Sequence, residues 1–363
     1  TTPEGNFLPS LARTDSGRVI PAELLMRNDY CADCHEDVHA QWQVSAHRFA
    51  SFNNPAYLFS VRNTRQVALE RDGDVRAARF CAGCHDPVPL FSGAFDEIDF
   101  DDVNHPTAHA GITCVSCHAI EQLGSPRGNA DYVIAAPEHY PFAFSENRLL
   151  SFLNGLLIKG KPDFHKRTFL KPLHKSTEFC GTCHKVHLPE ALNEYKWLRG
   201  QNHYDSFLLS GVSGRGVESF YYPPKAITRC AECHMPLAAS ADFAAAPNDD
   251  SGRLTVHGHH FPAANTALPH LLGLPESVNR AHRDMLEGAL RLDIFGLREG
   301  SDIDAPLVAP IRPDVPALRS GATYLVDVVI RSLRVGHLFT EGTADSNQVW
   351  LEIIAKQNGR LIG

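Results

Sequence analysis

The sequence predicts a mainly α-helical and loop domain followed by a β-rich, sandwich-like C-terminal domain, and three observations carry that expectation. The pentapeptide Cys-x-x-Cys-His occurs five times, and its copies use all 10 cysteines. The segments between the copies alternate short runs of helical apolar spacing with loops rich in Pro and Gly. Beyond about residue 290 the apolar period changes to two, as in strands. Strands are therefore expected only in that last part of the chain.

The five copies are Cys31, Cys34 and His35; Cys81, Cys84 and His85; Cys114, Cys117 and His118; Cys180, Cys183 and His184; and Cys230, Cys233 and His234. Each has the pattern of a covalent attachment site for a c-type haem. Two thiols three positions apart bond the two vinyl groups of one porphyrin, and the adjacent histidine is held under the ring as an iron ligand. A zinc ribbon would pair CxxC elements without a regular trailing histidine. A disulfide framework would not place a histidine after every second cysteine. The expected cofactors are five covalently attached haem c groups, packed inside the helical domain.

With 363 residues the chain has room for two or three domains, and a hydrophobic fraction of 43% supports a sizeable core. A net charge of −8 without a basic patch argues against nucleic-acid binding. No apolar run approaches the roughly 18 residues of a membrane span; the most apolar, residues 149–158, is broken by Ser151, Asn154 and Gly155. The chain begins at Thr1, and c-type haem is attached only after export. A mature, periplasmic or extracellular protein is therefore expected. Of 20 histidines, five belong to the motifs, leaving fifteen. That surplus suggests two histidines per iron.

Taken in order, residues 1–24 read as an extended N-terminal arm and 25–270 as the haem domain. Val38, Trp42 and Ala46 recur at spacing four, predicting a helix over residues 36–48. His39 lies one turn from His35, on the same side of the first porphyrin. His47 lies about 18 Å from His35 along such a helix, so it reaches a different iron. A second helix is expected over 65–80. An acidic loop at 95–102 precedes His105 and His109, both ligand candidates. Residues 119–144 read as loop, and a helix from Ser145 to about Ile158 ends at Gly160. Lys159, Lys161, Lys166 and Arg167 form a basic cluster: solvated surface, a docking patch or a neighbour of haem propionates. His174 stands six residues before Cys180. A helix is expected from Pro189 through Trp197, then a polar run holding Arg199, His203 and Tyr204, and a flexible loop at 211–216. Residues 238–252 read as a low-complexity linker. Val278, Ala281, Met285, Leu286, Ala289 and Leu290 mark a connecting helix within 271–292. In the β-rich part, 293–363, Tyr324, Val326, Val328 and Ile330 share one strand face, and Val349, Leu351 and Ile353 another. Asn358-Gly359 is a hairpin turn. The chain stops four residues later, so this domain is expected to be incomplete.

Residues 29–262 resemble the multihaem cytochrome c family that contains the tetrahaem cytochrome of ammonia oxidisers. Its wider superfamily includes pentahaem nitrite reductase and octahaem hydroxylamine oxidoreductase. The matching stretches are Tyr30 with the first motif, Trp42-x-x-Ser45-x-His47, Ala110-Gly111-Ile112-Thr113 before the third motif, Phe179 with the fourth, and the fifth followed by Met235-Pro236 and His259-His260-Phe261. The tail, with Gly336-His337-x-Phe339 and 349–352, is similar to β-domains appended to some such cytochromes. Nitrite reductase has a lysine in place of one motif histidine; all five motifs here keep histidine. Hydroxylamine oxidoreductase uses a tyrosine crosslinked to its active haem, and nothing singles out Tyr204, Tyr221 or Tyr222 for that role.

The leading functional expectation is single-electron transfer through closely packed haems, most with two histidine ligands. The expected second ligands are His47, His109, His174, His203 and His259, with His105, His257 and His337 in reserve. Other redox proteins or cytochromes are the expected partners, and self-association is a further expectation. One alternative is an enzyme in which an open iron, served by Arg199, His203 or Tyr204, acts on a small nitrogen or sulfur oxyanion. Another is a subunit of an extracellular cytochrome filament or surface conduit.

Overall fold

The computed structural model describes residues 5–193, 198–220, 225–342 and 347–362. Its main buried cluster is drawn from residues 7–134. Phe7, Ile20, Leu25, Phe52, Val61, Val88, Phe91, Phe95, Val115 and Tyr132 form one buried cluster. The N-terminal arm is thus irregular but packed. Its strand β1 (Arg13–Thr14) and helix α1 (Ala22–Leu25) carry side chains into the core, and Ile20 N donates to Phe91 O at 2.8 Å. Burial of Phe7 and Ile20 removes their apolar surface from water, which holds an otherwise unpatterned segment in place.

Helix α2 (Asn28–Ala32) leads into the first motif, and α3 (Glu36–Gln43) follows it. The expected helix to residue 48 stops at Gln43. Trp42 is buried and donates its indole N–H to Ile112 O at 2.8 Å, after which 44–50 run as turns. Helix α4 (Pro55–Asp72) replaces the helix expected over 65–80. Asn54 caps it by accepting from Ala56 N and Tyr57 N, and Gly73, at φ 75°, ends it in a left-handed conformation that glycine adopts without strain. Helices α5 (Arg79–His85) and α6 (Pro87–Ser92) follow, then a loop to α7 (Cys114–His118).

Strands are not confined to the end of the chain. β2 (Ile120–Leu123) and β3 (Tyr132–Ile134) form an antiparallel pair to which β1 adds in parallel, in the order β1-β3-β2. Helix α8 (Arg148–Gly160) is capped by Asn147 rather than Ser145, and α9 (Pro162–Phe169) starts directly after it. The basic cluster lies on these two helices. Helix α10 (Thr177–Gly181) precedes the antiparallel pair β4 (Lys185–Leu188) and β5 (Leu198–Asn202), with α11 (Glu190–Asn193) between them. The rest of the helix expected to Trp197 lies outside the described residues. Then come α12 (His203–Leu209), α13 (Ala231–His234) and the pair β6 (Leu237–Ala239) and β7 (Thr255–His257). Most of the expected linker, residues 240–252, is therefore the loop that joins these two strands.

The connecting helix is two, α14 (Ala267–Leu271) and α15 (Glu276–Leu286). The β-rich part is a three-stranded antiparallel sheet of β8 (Leu290–Glu299), β9 (Leu307–Val308) and β10 (Tyr324–Ser332), in the order β10-β8-β9. The register shifts opposite Asp327 and Val328, where β8 carries Phe295 as an extra, bulged residue. Among the described residues the expected sandwich amounts to this sheet and one short hairpin. In that hairpin β11 (Lys356–Gln357) and β12 (Arg360–Leu361) pair across Asn358-Gly359. Val349, Leu351 and Ile353 are exposed and, among the described residues, belong to no strand. The segment after β10 turns back onto α12: a Cβ on Gly336 would stand 2.9 Å from Phe207, and Ser206 Oγ donates to Glu341 at 2.9 Å. Among the described residues no helix is long and apolar enough to cross a membrane.

Candidate haem-ligand sites

Each motif is a single helical turn, which puts both thiols on one side with the histidine beyond them. In the first, fourth and fifth motifs the histidine N–H donates to the carbonyl of the first cysteine, at 2.9 Å for His35 and His184 and 3.0 Å for His234. Thr113 and Ser116 close a capping box around the third motif, and Ser176 caps α10 at the fourth. Glycines inside two motifs permit close packing. A Cβ on Gly83 would stand 2.1 Å from Ser10 Oγ, and one on Gly181 would stand 2.8 Å from the Tyr204 ring.

Four of the five motif imidazoles are oriented through Nδ1. His85 Nδ1 meets Ala50 O at 2.9 Å, His118 Nδ1 meets Phe169 O at 2.6 Å, and His234 Nδ1 meets Pro262 O at 2.9 Å. His35 Nδ1 meets the Asp242 carboxylate at 2.7 Å. These bonds fix the tautomer and leave Nε2 free to bind metal.

Four of the five motif histidines face a second imidazole at nearly one spacing. Ring centroids are 6.1 Å apart for His35 and His165, 6.2 Å for His184 and His47, 6.4 Å for His118 and His259, and 6.2 Å for His234 and His337. Three pairs are close to parallel, at 23°, 25° and 12°; the His47 pair is inclined at 60°. An iron with a nitrogen bond of roughly 2 Å on each side, and roughly 1 Å from nitrogen to ring centre, needs about 6 Å between centroids. The residues fit a haem iron held by two histidines. Burial favours the neutral, metal-binding form of His47, His118, His165, His184, His234 and His259. Desolvation pushes His47, His165 and His259 down to about 4 and His184 to about 3, with neighbouring imidazoles adding to the shift.

The facing rings come from distant parts of the chain. His47 sits in the turns after α3, where its carbonyl accepts from Ile112 N at 2.9 Å and Phe261 packs on its ring at 4.2 Å. His259 is set by Gln41, whose Oε1 accepts from His259 N at 2.7 Å, and its own Nδ1 meets His257 O at 2.9 Å. His165 is on α9, inside the cluster read as basic surface. His337 is on the segment that returns from the β-sheet.

His47 and His259, from the expected set, thus face motif histidines; His109, His174 and His203 do not. His109 is exposed, and its carbonyl accepts from Arg48 at 2.7 Å. His174 is 4.9 Å from His118 at 50°, too close for an iron between the rings, and its Nδ1 accepts from Lys171 N. His203 is nearly perpendicular to both His184 and His337, at 5.6 and 5.0 Å. Of the reserves, His105 bonds Thr107 at 2.8 Å and His257 Nδ1 meets Met235 O at 3.1 Å, leaving His337 as the one that faces a motif ring. Sequence reasoning missed His165 altogether. His165 and Phe169, four residues apart within the basic run, were the available signal.

His85 differs. The Tyr57 ring stacks on it at 4.2 Å and 10°, and among the described residues no imidazole stands at the 6 Å spacing. The Tyr57 hydroxyl donates to Asp86, which is buried. Arg199 and Tyr204, proposed donors for an open iron, lie elsewhere: Arg199 beside Asp205, and Tyr204 OH on Glu178 at 3.2 Å. Tyr221 and Tyr222 lie outside the described residues.

Thiols of different motifs also meet. Cys31 lies beside Cys114, Cys84 beside Cys183, and Cys180 beside Cys230. The first motif therefore adjoins the third, the second the fourth, and the fourth the fifth.

Residues 30–119 match the family model for cytochrome c554 and c-prime. No curated protein matches the chain. Among solved structures it is similar to a penta-heme cytochrome c552 from Thermochromatium tepidum, with 18% identity and a TM-score of 0.42. That similarity covers 78% of this chain, which spans 64% of the c552 chain. Five Cys-x-x-Cys-His motifs between residues 31 and 234, the first three inside the matched stretch, point to a multihaem c-type cytochrome.

Proposed function

We propose that the chain is an exported, periplasmic or extracellular pentahaem cytochrome that passes single electrons between other redox proteins. The observation that carries this reading is the set of four imidazole pairs at 6.1–6.4 Å. Haem iron, when bound, supplies a one-electron couple. His165, His47, His259 and His337 act as the second ligands opposite His35, His184, His118 and His234. Two imidazoles saturate an iron, hold it in place and exclude other ligands, which suits transfer without bond making. The contacts Cys31–Cys114, Cys84–Cys183 and Cys180–Cys230 keep neighbouring attachment sites close, with the fourth motif touching both the second and the fifth. Intact mass after acid denaturation tests the cofactor count. An excess of five haem groups over the polypeptide supports the reading, and a smaller excess defeats it.

One observation favours a second reading. His85 has Tyr57 stacked on its ring and no facing imidazole among the described residues. The iron bound there would keep an open position, as an enzyme acting on a small oxyanion requires. Binding of nitrite to the reduced protein, followed by turnover with an electron donor, separates an enzyme from a wire with one unused position.

A further inference from the structure

The hairpin of β6 and β7 brings a buried carboxylate to one motif histidine. Asp242, in the stretch that composition marks as a linker, has a side chain only 1% exposed, and its Oδ1 is 2.7 Å from His35 Nδ1. Its position is fixed from three directions. Asp242 N donates to Ser240 Oγ at 2.9 Å, Ser240 Oγ donates to Asp37 on α3 at 2.6 Å, and Ala244 N donates to Asp242 Oδ1 at 2.7 Å. The second oxygen, Oδ2, is buried without a partner. Among the described residues no lysine or arginine forms a salt bridge with it.

The other motif histidines with an oriented Nδ1 meet neutral main-chain carbonyls, those of Ala50, Phe169 and Pro262. Among the facing rings, His259 and His337 likewise meet the carbonyls of His257 and Leu338. Glu341 stands 3.7 Å from His337 Nδ1, beyond hydrogen-bonding distance. An imidazole that binds iron through Nε2 has one proton left, on Nδ1. A carboxylate accepting it draws the proton away and makes the ring a stronger electron donor to the metal. The ferric state, one positive charge richer than the ferrous, gains most, and a buried, uncompensated charge strengthens the effect.

We infer that Asp242 is a positioning residue that gives the haem attached at Cys31 and Cys34 the lowest reduction potential of the five. The inference rests on the proposal that His35 and His165 hold that iron. Electrons then run downhill from this haem to the one attached beside it at Cys114.

The test is a spectroscopic redox titration of the full-length holoprotein and of Asp242→Asn, which keeps an acceptor but removes the charge. His165→Ala, read by paramagnetic resonance, first identifies the signal of this haem by turning it high-spin. If that signal does not change, the ligand assignment fails, and this is distinguishable from failure of the present inference. With the signal identified, Asp242→Asn raises the lowest midpoint, leaves the other four in place and shifts only that haem's low-spin signal. Asp242→Glu restores a low midpoint. An unchanged lowest midpoint in Asp242→Asn, or a shift shared by all haems, overturns the inference. Should Asp242→Asn fail to mature, Ser240→Ala loosens the same carboxylate: a smaller upward shift of that one midpoint supports the inference, and none refutes it.

Discussion

Gly111 and Gly73 both have left-handed backbone, at φ 67° and 75°, yet differ in what surrounds them. A Cβ on Gly73 meets nothing within 4 Å, whereas one on Gly111 would stand 2.2 Å from Arg48 O and 2.8 Å from His47 O. Alanine at either site carries the left-handed penalty of about 1–2 kcal/mol. At Gly111 the chain must also retreat by roughly 1 Å to reach ordinary contact, because the obstacle is backbone rather than a flexible side chain. That movement breaks two bonds, Ile112 N to His47 O at 2.9 Å and Gly111 N to Ser51 Oγ at 3.0 Å. Each is worth about 1 kcal/mol. Gly111→Ala is therefore expected to cost about 3–4 kcal/mol and Gly73→Ala about 1–2 kcal/mol. Denaturant unfolding of the two holoproteins gives the difference. Because the displaced backbone carries His47, Gly111→Ala should also raise a high-spin signal that Gly73→Ala lacks. Equal costs within about 0.5 kcal/mol, with identical spectra, would refute the reasoning.

The remaining predictions concern the ligands and one buried acid. His165→Ala and His337→Ala should each turn one iron high-spin with all haems still attached, whereas His109→Ala and His174→Ala should leave the spectrum unchanged; the opposite pattern would reinstate the ligands suggested by sequence. Tyr57→Phe removes the donor to Asp86 and is expected to cost about 1.5–3 kcal/mol, measured by unfolding near neutral pH. Burial pushes the Asp86 carboxyl up to about 7, against a lowering by the Tyr57 hydroxyl. From about 4 to 7 the native state therefore binds the extra proton, and this carboxyl makes stability fall as pH rises. Loss of the hydroxyl should steepen that fall; a flatter profile in Tyr57→Phe would contradict the burial of Asp86.

What was legible in the sequence is what short range determines. One helical turn encodes thiols and histidine together, so the motifs and their five histidines could be read directly. Asn358-Gly359 could be read as a turn because its chemistry is local. The facing rings could be read only in part, with His47 and His259 among those expected, because tertiary structure chooses them. His109 is near the third motif in sequence but points to solvent, while His337 comes from beyond the sheet and His165 hides among lysines. The helix after His35 was overextended because Val38, Trp42 and Ala46 keep the spacing, yet Trp42 turns in to Ile112 and the chain bends there. Strands such as β1 and β3, two and three residues long and paired over more than a hundred positions, leave no periodic trace. Asp242 was invisible for the same reason: its role exists only when the hairpin folds back on α3.

The central claim is that four histidine pairs hold four irons and leave one, at His85, unpaired. Carbon monoxide titration of the reduced holoprotein, with paramagnetic resonance of the oxidised form, tests it most directly. The account predicts four low-spin irons, one high-spin iron, and a single carbon monoxide bound per chain, with that binding abolished by no change at His35, His118, His184 or His234. Fewer than four low-spin irons, or more than one carbon monoxide per chain, would contradict the pairing. Five low-spin irons with no binding would contradict the open position at His85.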